Sequence, residues 1–130
     1  MDNTVVPSCT KILIAGSRTI TDYAALSAAI SGAITSKVLG PAQTFEIVSG
    51  GAQGVDTLAE RYARESGYVM TVMRPIYRHN NDRGAPLRRN EDLGRYADVL
   101  IAVWDGVSPG TKHMIEFMRK SGKPVYVHYT

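Results

Sequence analysis

The stretch Ile47–Asp56, IVSGGAQGVD, predicts a strand that runs into a glycine-rich turn and then into a helix. Such a turn aims free backbone N–H groups and the positive end of the helix dipole at one spot. The motif is neither the dinucleotide fingerprint nor a P-loop. Glycine lets a ligand approach the backbone closely, so Gly50, Gly51 and Gly54 predict a phosphate site. A tight turn without a ligand is the competing interpretation.

Length and composition are typical of one soluble globular domain, with 130 residues, 44% of them hydrophobic and 21% charged. The net charge of +3 permits an anionic ligand without requiring nucleic acid. Cys9 is the one cysteine, which excludes a cysteine metal cluster, and no metal or cofactor is expected. No apolar run reaches the ~20 residues of a membrane span. We therefore expect a cytoplasmic protein with no membrane partner.

Short apolar runs alternate with helical patterns along the chain. Strands are predicted at residues 11–16, 44–49, 68–73, 97–104 and 125–129. Helices are predicted after a cap at Thr21 or Asp22, from the glycine turn to Gly67, at 86–95, and after Gly110. This alternation favours a Rossmann-like α/β/α sandwich of three layers with a five-stranded, mainly parallel sheet. Residues 1–10 are expected to form a flexible lead and residues 11–130 a single domain.

In such sheets, ligands bind beyond the carboxyl ends of the strands, where the strand order reverses. If the order is 3-2-1-4-5, the ends of strands one and four share a crevice with the glycine turn. Besides that turn, the candidate ligand-binding residues are Gly16, Ser17, Arg18, Asp56, Trp104, Asp105, Gly110 and Thr111. Arg18 would neutralise phosphate, Asp56 would assist the ribose and Trp104 would face the base. Alternatively, Arg18 is a solvated surface residue, Asp56 stabilises the helix dipole and Trp104 packs in the core.

Six arginines cluster between the third and fourth predicted strands: Arg74, Arg78, Arg83, Arg88, Arg89 and Arg95. Such a cluster can follow a nucleic-acid backbone, but Asp82, Glu91 and Asp92 dilute its charge. A solvated loop that contributes one or two arginines to the site is the preferred interpretation. A nucleic-acid partner is therefore not expected, although single-stranded nucleic-acid binding stays as an alternative.

Taken together, these motifs resemble the SLOG superfamily, specifically its YspA-like branch, which is related to the Lonely Guy phosphoribohydrolases and to the DprA/Smf proteins. The matching pieces are Ile14–Arg18, Ser49–Ala59, Arg89-Asn90, Trp104–Gly106 and Gly110-Thr111, and the resemblance runs from about Lys11 to Val127. It implies a Rossmann-like fold, a homo-oligomer and a site for a nucleotide-derived ligand, in several members a defence-signalling or NAD-related molecule. It also implies that Arg89 and Asn90 belong to the site.

The Lonely Guy enzymes cleave the N-glycosidic bond of nucleoside monophosphates with an arginine and a glutamate. Arg89 matches that arginine, and Met114 occupies the position of the glutamate. Glu116 lies two residues further on, about 200° around a helix, and should point elsewhere. The preferred function is therefore a sensor or sequestering protein for a nucleotide-derived signal, including NAD-derived or cyclic molecules. The enzymatic alternative is a hydrolase that uses Arg89 with Asp56, Asp105 or Glu116.

Overall fold

The computed structural model describes residues 9–41 and 44–130, in which strands and helices alternate as predicted. The strands are β1 (Cys9–Gly16), β2 (Thr44–Ser49), β3 (Val69–Val72), β4 (Val99–Trp104) and β5 (Val125–Tyr129). The helices are α1 (Tyr23–Thr35), α2 (Val55–Ser66), α3 (Ala85–Tyr96) and α4 (Pro109–Lys120). None of these helices has the length and apolarity needed to cross a membrane.

The strands form one parallel sheet in the order β3-β2-β1-β4-β5. In β1, Ile12 pairs with Ile47 of β2, and Ile14 pairs with Ile101 of β4. The strand order reverses between β1 and β4, which is the arrangement assumed for the crevice. Parallel strands joined by helices place their carboxyl ends along one edge. The Rossmann-like fold class is confirmed.

Two apolar cores cover the two faces of the sheet, because alternate side chains of each strand point to opposite faces. One core joins β1, β2 and β4 to α1 and α2, and includes Ile14, Ile47, Ile101, Leu26, Ala29, Val55 and Ala59. The other joins the same strands to α3 and α4, and includes Leu13, Val48, Leu100, Leu93, Met114 and Met118. Burial on both faces explains why the strands read as continuous apolar runs.

The helix ends follow the predicted chemistry. The carboxylate of Asp22 accepts the Ala24 N–H at 3.0 Å and caps α1. Gly67 ends α2 in the left-handed conformation, with φ of 73°. The predicted fourth strand begins two residues early, because Asp98 turns to β1. Its carboxylate accepts the Lys11 N–H at 2.9 Å, while its own N–H donates to the Lys11 carbonyl at 2.9 Å.

The predicted flexible lead, residues 1–10, lies outside the described residues for its first eight positions. Cys9 and Thr10 belong to β1, where they pair with Thr44 and Phe45 of β2. Because β2 provides partners at both positions, the strand starts two residues before the apolar run that predicted it.

Candidate functional site

A crevice of about 390 Å³ opens at the carboxyl ends of β1 and β4, between the glycine turn and helices α3 and α4. This volume is within the range of roughly 300–1,000 Å³ that is usual for small-molecule sites. The predicted site residues that line it are Gly16, Ser17, Arg18, Gly50, Asp56, Arg89, Asn90, Asp105, Gly110 and Thr111. Gly51, Gly54, Trp104 and Glu116 are outside the lining.

Ser17 joins the three segments that form the floor of the crevice. Its N–H donates to the Val103 carbonyl at 3.1 Å, and its own carbonyl accepts the Val55 N–H at 3.4 Å. Its hydroxyl accepts the Asp105 N–H at 3.2 Å. Ser17 is fully buried, so these bonds replace water entirely. The ends of β1 and β4 and the start of α2 are therefore held together by one residue.

The first two glycines of the turn have different roles. Gly50 is buried against the crevice, and a Cβ there would lie 2.9 Å from both Arg89 Nη1 and Asp56 Oδ2. Gly51 has φ of 71° and turns away from the crevice, where Arg74 donates to its carbonyl at 3.1 Å. Gly50 therefore makes room for the charged pair behind it, and Gly51 provides the change of chain direction.

Gly54 allows two backbone segments to approach closely. Its φ of 74° is unfavourable for a residue with a Cβ, and a Cβ there would overlap the carbonyl oxygens of Ser17 and Arg18. The signal that marks this position is a glycine immediately before a helix. It does not distinguish ligand contact from chain crossing, and the structure places Gly54 at a crossing.

Arg89 and Asp56 are two buried side chains of opposite charge on either side of Gly50 at the base of the crevice, without a direct ion pair between them. The Arg89 guanidinium donates through Nη1 to the Gly50 carbonyl at 2.5 Å and through Nε to Asn90 Oδ1 at 3.0 Å. The Asp56 carboxylate accepts the Ala52 N–H at 3.1 Å. Both residues are more than nine-tenths buried, with exposed fractions of 8% and 7%.

Burial dominates the electrostatics of this pair. It raises the pKa of Asp56, against the Ala52 N–H and the positive charge of Arg89, which lower it. It also lowers the pKa of Arg89, and the positive charge of Arg18 lowers that pKa further, while the negative charge of Asp56 raises it. Two arginines thus act on a single buried carboxylate. An anionic ligand would relieve their mutual repulsion.

The Asp105 carboxylate organises the loop that leads into α4. It accepts the Ser108 hydroxyl at 2.6 Å, the Ser108 N–H at 2.7 Å and the Val107 N–H at 2.9 Å. These bonds, the Ser108 hydroxyl first, lower the pKa of Asp105 to about 2. The carboxylate is therefore charged at neutral pH. It fixes the direction in which α4 presents Gly110 and Thr111 to the crevice.

We expect Ser108→Ala to raise the pKa of Asp105 towards its ordinary value of 3.8, because the strongest of the three donors is lost. The native pKa lies below the unfolded one, so Asp105 stabilises the fold above about pH 4, and this contribution disappears as the pH falls towards 2. A carboxyl NMR titration of both proteins measures the shift. Identical midpoints would show that the Ser108 hydroxyl has no part in holding the charge.

Trp104 and Glu116 lie away from the crevice. The Trp104 indole donates to the Ser108 carbonyl at 3.1 Å, and its ring packs 5.7 Å from that of Tyr129. Glu116 is exposed and lies 3.9 Å from Lys112, one turn earlier on α4. Met114 instead is buried and lines the crevice. Arg89 and Glu116 are thus not brought together.

Several lining residues were not predicted as site residues, notably Pro86, Leu87 and Leu93 of α3 and Pro109 and Met114 of α4. Pro86 and Leu93 are three or four positions from Arg89 and Asn90, which puts them on the same helix face. This spacing is the sequence signal that could have identified them. Among the described residues, no group of three or more histidine, cysteine or acidic side chains is placed to hold a metal ion.

A solved structure with the same fold corrects the prediction about nucleic acid. DNA processing protein A from Helicobacter pylori, described for its single-stranded DNA binding mode, superposes with a TM-score of 0.66 and 25% sequence identity. The match covers 91% of this chain and 64% of that one, so the chain spans less than two thirds of that protein. This likeness points to a nucleic-acid partner. The prediction that a nucleic-acid partner is not expected was wrong, because it rested on charge counted along the sequence.

Two sequence comparisons agree with the resemblance drawn from the motifs. The chain is 31% identical to the Gene 61 protein of Mycobacterium phage D29 over 120 residues, which is 88% of this chain and 93% of the phage protein. The model of the YspA, cpYpsA-related SLOG family matches residues 10–79, which include the whole glycine turn. The chain belongs to the YspA, cpYpsA-related SLOG family.

Proposed function

We propose that the protein binds a nucleotide or a nucleotide-derived molecule by its phosphate in the crevice. The observation that carries this proposal is the convergence of two arginines, Arg18 and Arg89, with the open N-terminal end of α4 on one volume of about 390 Å³. A phosphate suits this combination, since guanidinium groups and helix N-termini both favour anions.

The start of α4 supports the phosphate assignment. Ser108 gives the helix no side-chain cap, so the first N–H groups of α4 lack a side-chain acceptor. Thr111 is 5% exposed, and its hydroxyl has no hydrogen-bond partner within residues 9–41 and 44–130. The hydroxyl is thus available to a ligand oxygen in the crevice, which Thr111 lines. Gly110 leaves the approach open, because a Cβ there would meet no atom within 4 Å.

The two arginines complement each other. Arg89 is held in place by the Gly50 carbonyl and Asn90, so little conformational entropy is lost when it meets a ligand. Arg18 is exposed and makes no ion pair with a described residue, which leaves its planar donors available for bidentate contact. We assign Arg89 as the fixed contact and Arg18 as the adjustable one.

Apolar side chains from α3 and α4 would cover the sugar and base: Pro86, Leu87, Leu93 and Met114. Binding without hydrolysis fits this site better than catalysis. Of the two carboxylates in the lining, Asp105 is committed to its loop and Asp56 to the Ala52 N–H. We therefore favour a sensor or sequestering protein for a nucleotide-derived signal.

We expect Gly110→Glu to weaken binding of adenosine and thymidine monophosphate at least tenfold in calorimetry. A carboxylate at this position would repel the phosphate, whereas an acid in the first turn of a helix stabilises it by about 0.3–1 kcal/mol. Affinity and stability should therefore change in opposite directions. The matched control is Ala24→Glu, which adds the same charge to the first turn of α1, outside the crevice lining. Equal effects of both variants on affinity would place the phosphate elsewhere.

Single-stranded DNA binding is the second candidate function. It is favoured by the likeness to a protein described for that activity, and by the arginines that follow β3. In this case the crevice would hold one nucleotide unit of a longer chain, with the same phosphate contacts.

A further inference from the structure

A second depression lies beside the crevice, and we call it the arginine groove. It has a volume of about 660 Å³ and is lined by Met73, Arg74, Ile76, Arg78, Ala85, Arg88, Arg89, Glu91, Asp92 and Arg95. Five arginines line the groove together with two carboxylates, and a third carboxylate, Asp82, pairs with Arg88, which leaves an excess of two positive charges. The groove is therefore a positively charged part of the surface.

The arginine groove adjoins the crevice through one shared lining residue. Arg89 lines both depressions. Arg74 lines the groove and donates to the carbonyl of Gly51. The glycine turn therefore lies between the groove and the crevice. A ligand whose first phosphate meets Arg89 can thus extend into the groove without leaving the protein surface.

The arginines of the groove differ in how firmly they are held. Asp82 accepts two hydrogen bonds from Arg88 and one from the N–H of Arg78, and these bonds lower its pKa well below the ordinary range. Arg95 pairs with Asp92 at 3.2 Å. The guanidinium of Arg78 has no partner among the residues that the structure describes. Asp82 thus fixes the backbone of Arg78, while the guanidinium of Arg78 stays available to a ligand.

Leu87 of the crevice lining and Ile76 of the groove lining are exposed apolar side chains, and Tyr77, which follows Ile76 in the chain, is 61% exposed. Tyr77 is close enough to Arg89 to influence its pKa, though more weakly than burial, Asp56 and Arg18 do. Aromatic side chains beside a basic track are the usual platform for stacking unpaired bases. This part of the surface thus combines a stacking surface with backbone-binding charges.

We propose that the arginine groove binds the phosphodiester backbone of single-stranded DNA that continues from a nucleotide unit held in the crevice. This inference rests on the proposed function. It adds that the protein recognises a chain, and that Arg78 and Arg74 contact phosphates beyond the first. Tyr77 stacks on a base between the two depressions.

The first test is a length series of 5′-phosphorylated thymidylates with one, two, four and eight nucleotides, measured by fluorescence competition. Affinity should rise at least tenfold between one and four nucleotides and then level off as the groove fills. The salt dependence should steepen in parallel, by about 0.7 in the logarithmic slope for each further phosphate contacted. Equal affinity for all four lengths would overturn the inference and leave the proposed function intact.

The second test compares Arg78→Ala with Arg64→Ala, an exposed arginine on α2 on the other face of the sheet. Arg78→Ala should weaken binding of the four-nucleotide probe about tenfold and reduce its salt slope, without changing the affinity for the mononucleotide. Arg64→Ala should change neither. Loss of mononucleotide binding in Arg78→Ala would contradict a separate groove, as would equal effects of the two variants. Whether the crevice binds a phosphate at all is tested separately by the mononucleotide affinity of Gly110→Glu.

Discussion

Gly54→Ala is expected to lower the free energy of unfolding by about 3–5 kcal/mol. The new Cβ would overlap the carbonyl oxygens of Ser17 and Arg18, and backbone atoms cannot rotate away as a side chain can. The φ of 74° adds strain of its own. Because Ser17 also carries the bonds that join β1, β4 and α2, the displacement would spread through the floor of the crevice.

Gly67→Ala is the matched control for this prediction. Gly67 has nearly the same φ, 73°, but a Cβ there would meet no atom within 4 Å. Gly67→Ala should therefore lower the free energy of unfolding by about 1 kcal/mol, which is the strain of the left-handed conformation alone. Urea unfolding of the two variants separates the close approach from the dihedral strain. Equal losses of stability would mean that the contact with β1 contributes nothing.

Arg89→Met is expected to weaken nucleotide binding at least 100-fold, since removing the charge that pairs with the ligand phosphate in a buried site costs about 2–5 kcal/mol of binding. The ligand loses its fixed guanidinium, and Asp56 loses the positive charge that opposes its burial. The pKa of Asp56 should therefore rise further in the variant. Calorimetry with adenosine monophosphate measures the first effect, and a carboxyl NMR titration measures the second.

Two further variants keep this prediction specific. Arg119→Met removes an exposed arginine from the last turn of α4 and should leave the affinity unchanged. Arg89→Lys retains the charge but not the planar donors, so it should recover only part of the binding. Thermal unfolding of each variant confirms that affinity is measured on folded protein. Full affinity in Arg89→Met would exclude Arg89 as a ligand contact.

The fold could be predicted because each local signal agreed with the global arrangement. The run Lys11–Gly16 is largely apolar, as expected of a strand that is covered on both faces. Asp22 marks the start of a helix by its side-chain carboxylate, and Gly67 marks the end of one by its backbone conformation. These properties depend on short stretches of chain. The order of the strands was only assumed from the sequence, because it depends on contacts between distant segments, and the structure has the assumed order.

The site could be predicted only in part, because side-chain direction is decided by distant contacts. Three glycines mark the turn, but the approach of the β1 end makes Gly54 a crossing point, and Arg74 covers Gly51. Trp104 ends β4 and packs on Tyr129 beyond the crevice, a contact that exists only once β5 is in place. Resemblance, rather than spacing, supplied Asn90.

The Ser17 junction has a thermodynamic consequence for recognition. The three segments that it joins are already locked before a ligand arrives, so their ordering entropy is lost on folding instead of on binding. What remains to be ordered is the ligand itself and the exposed side chain of Arg18. A floor that does not adapt selects ligands by shape.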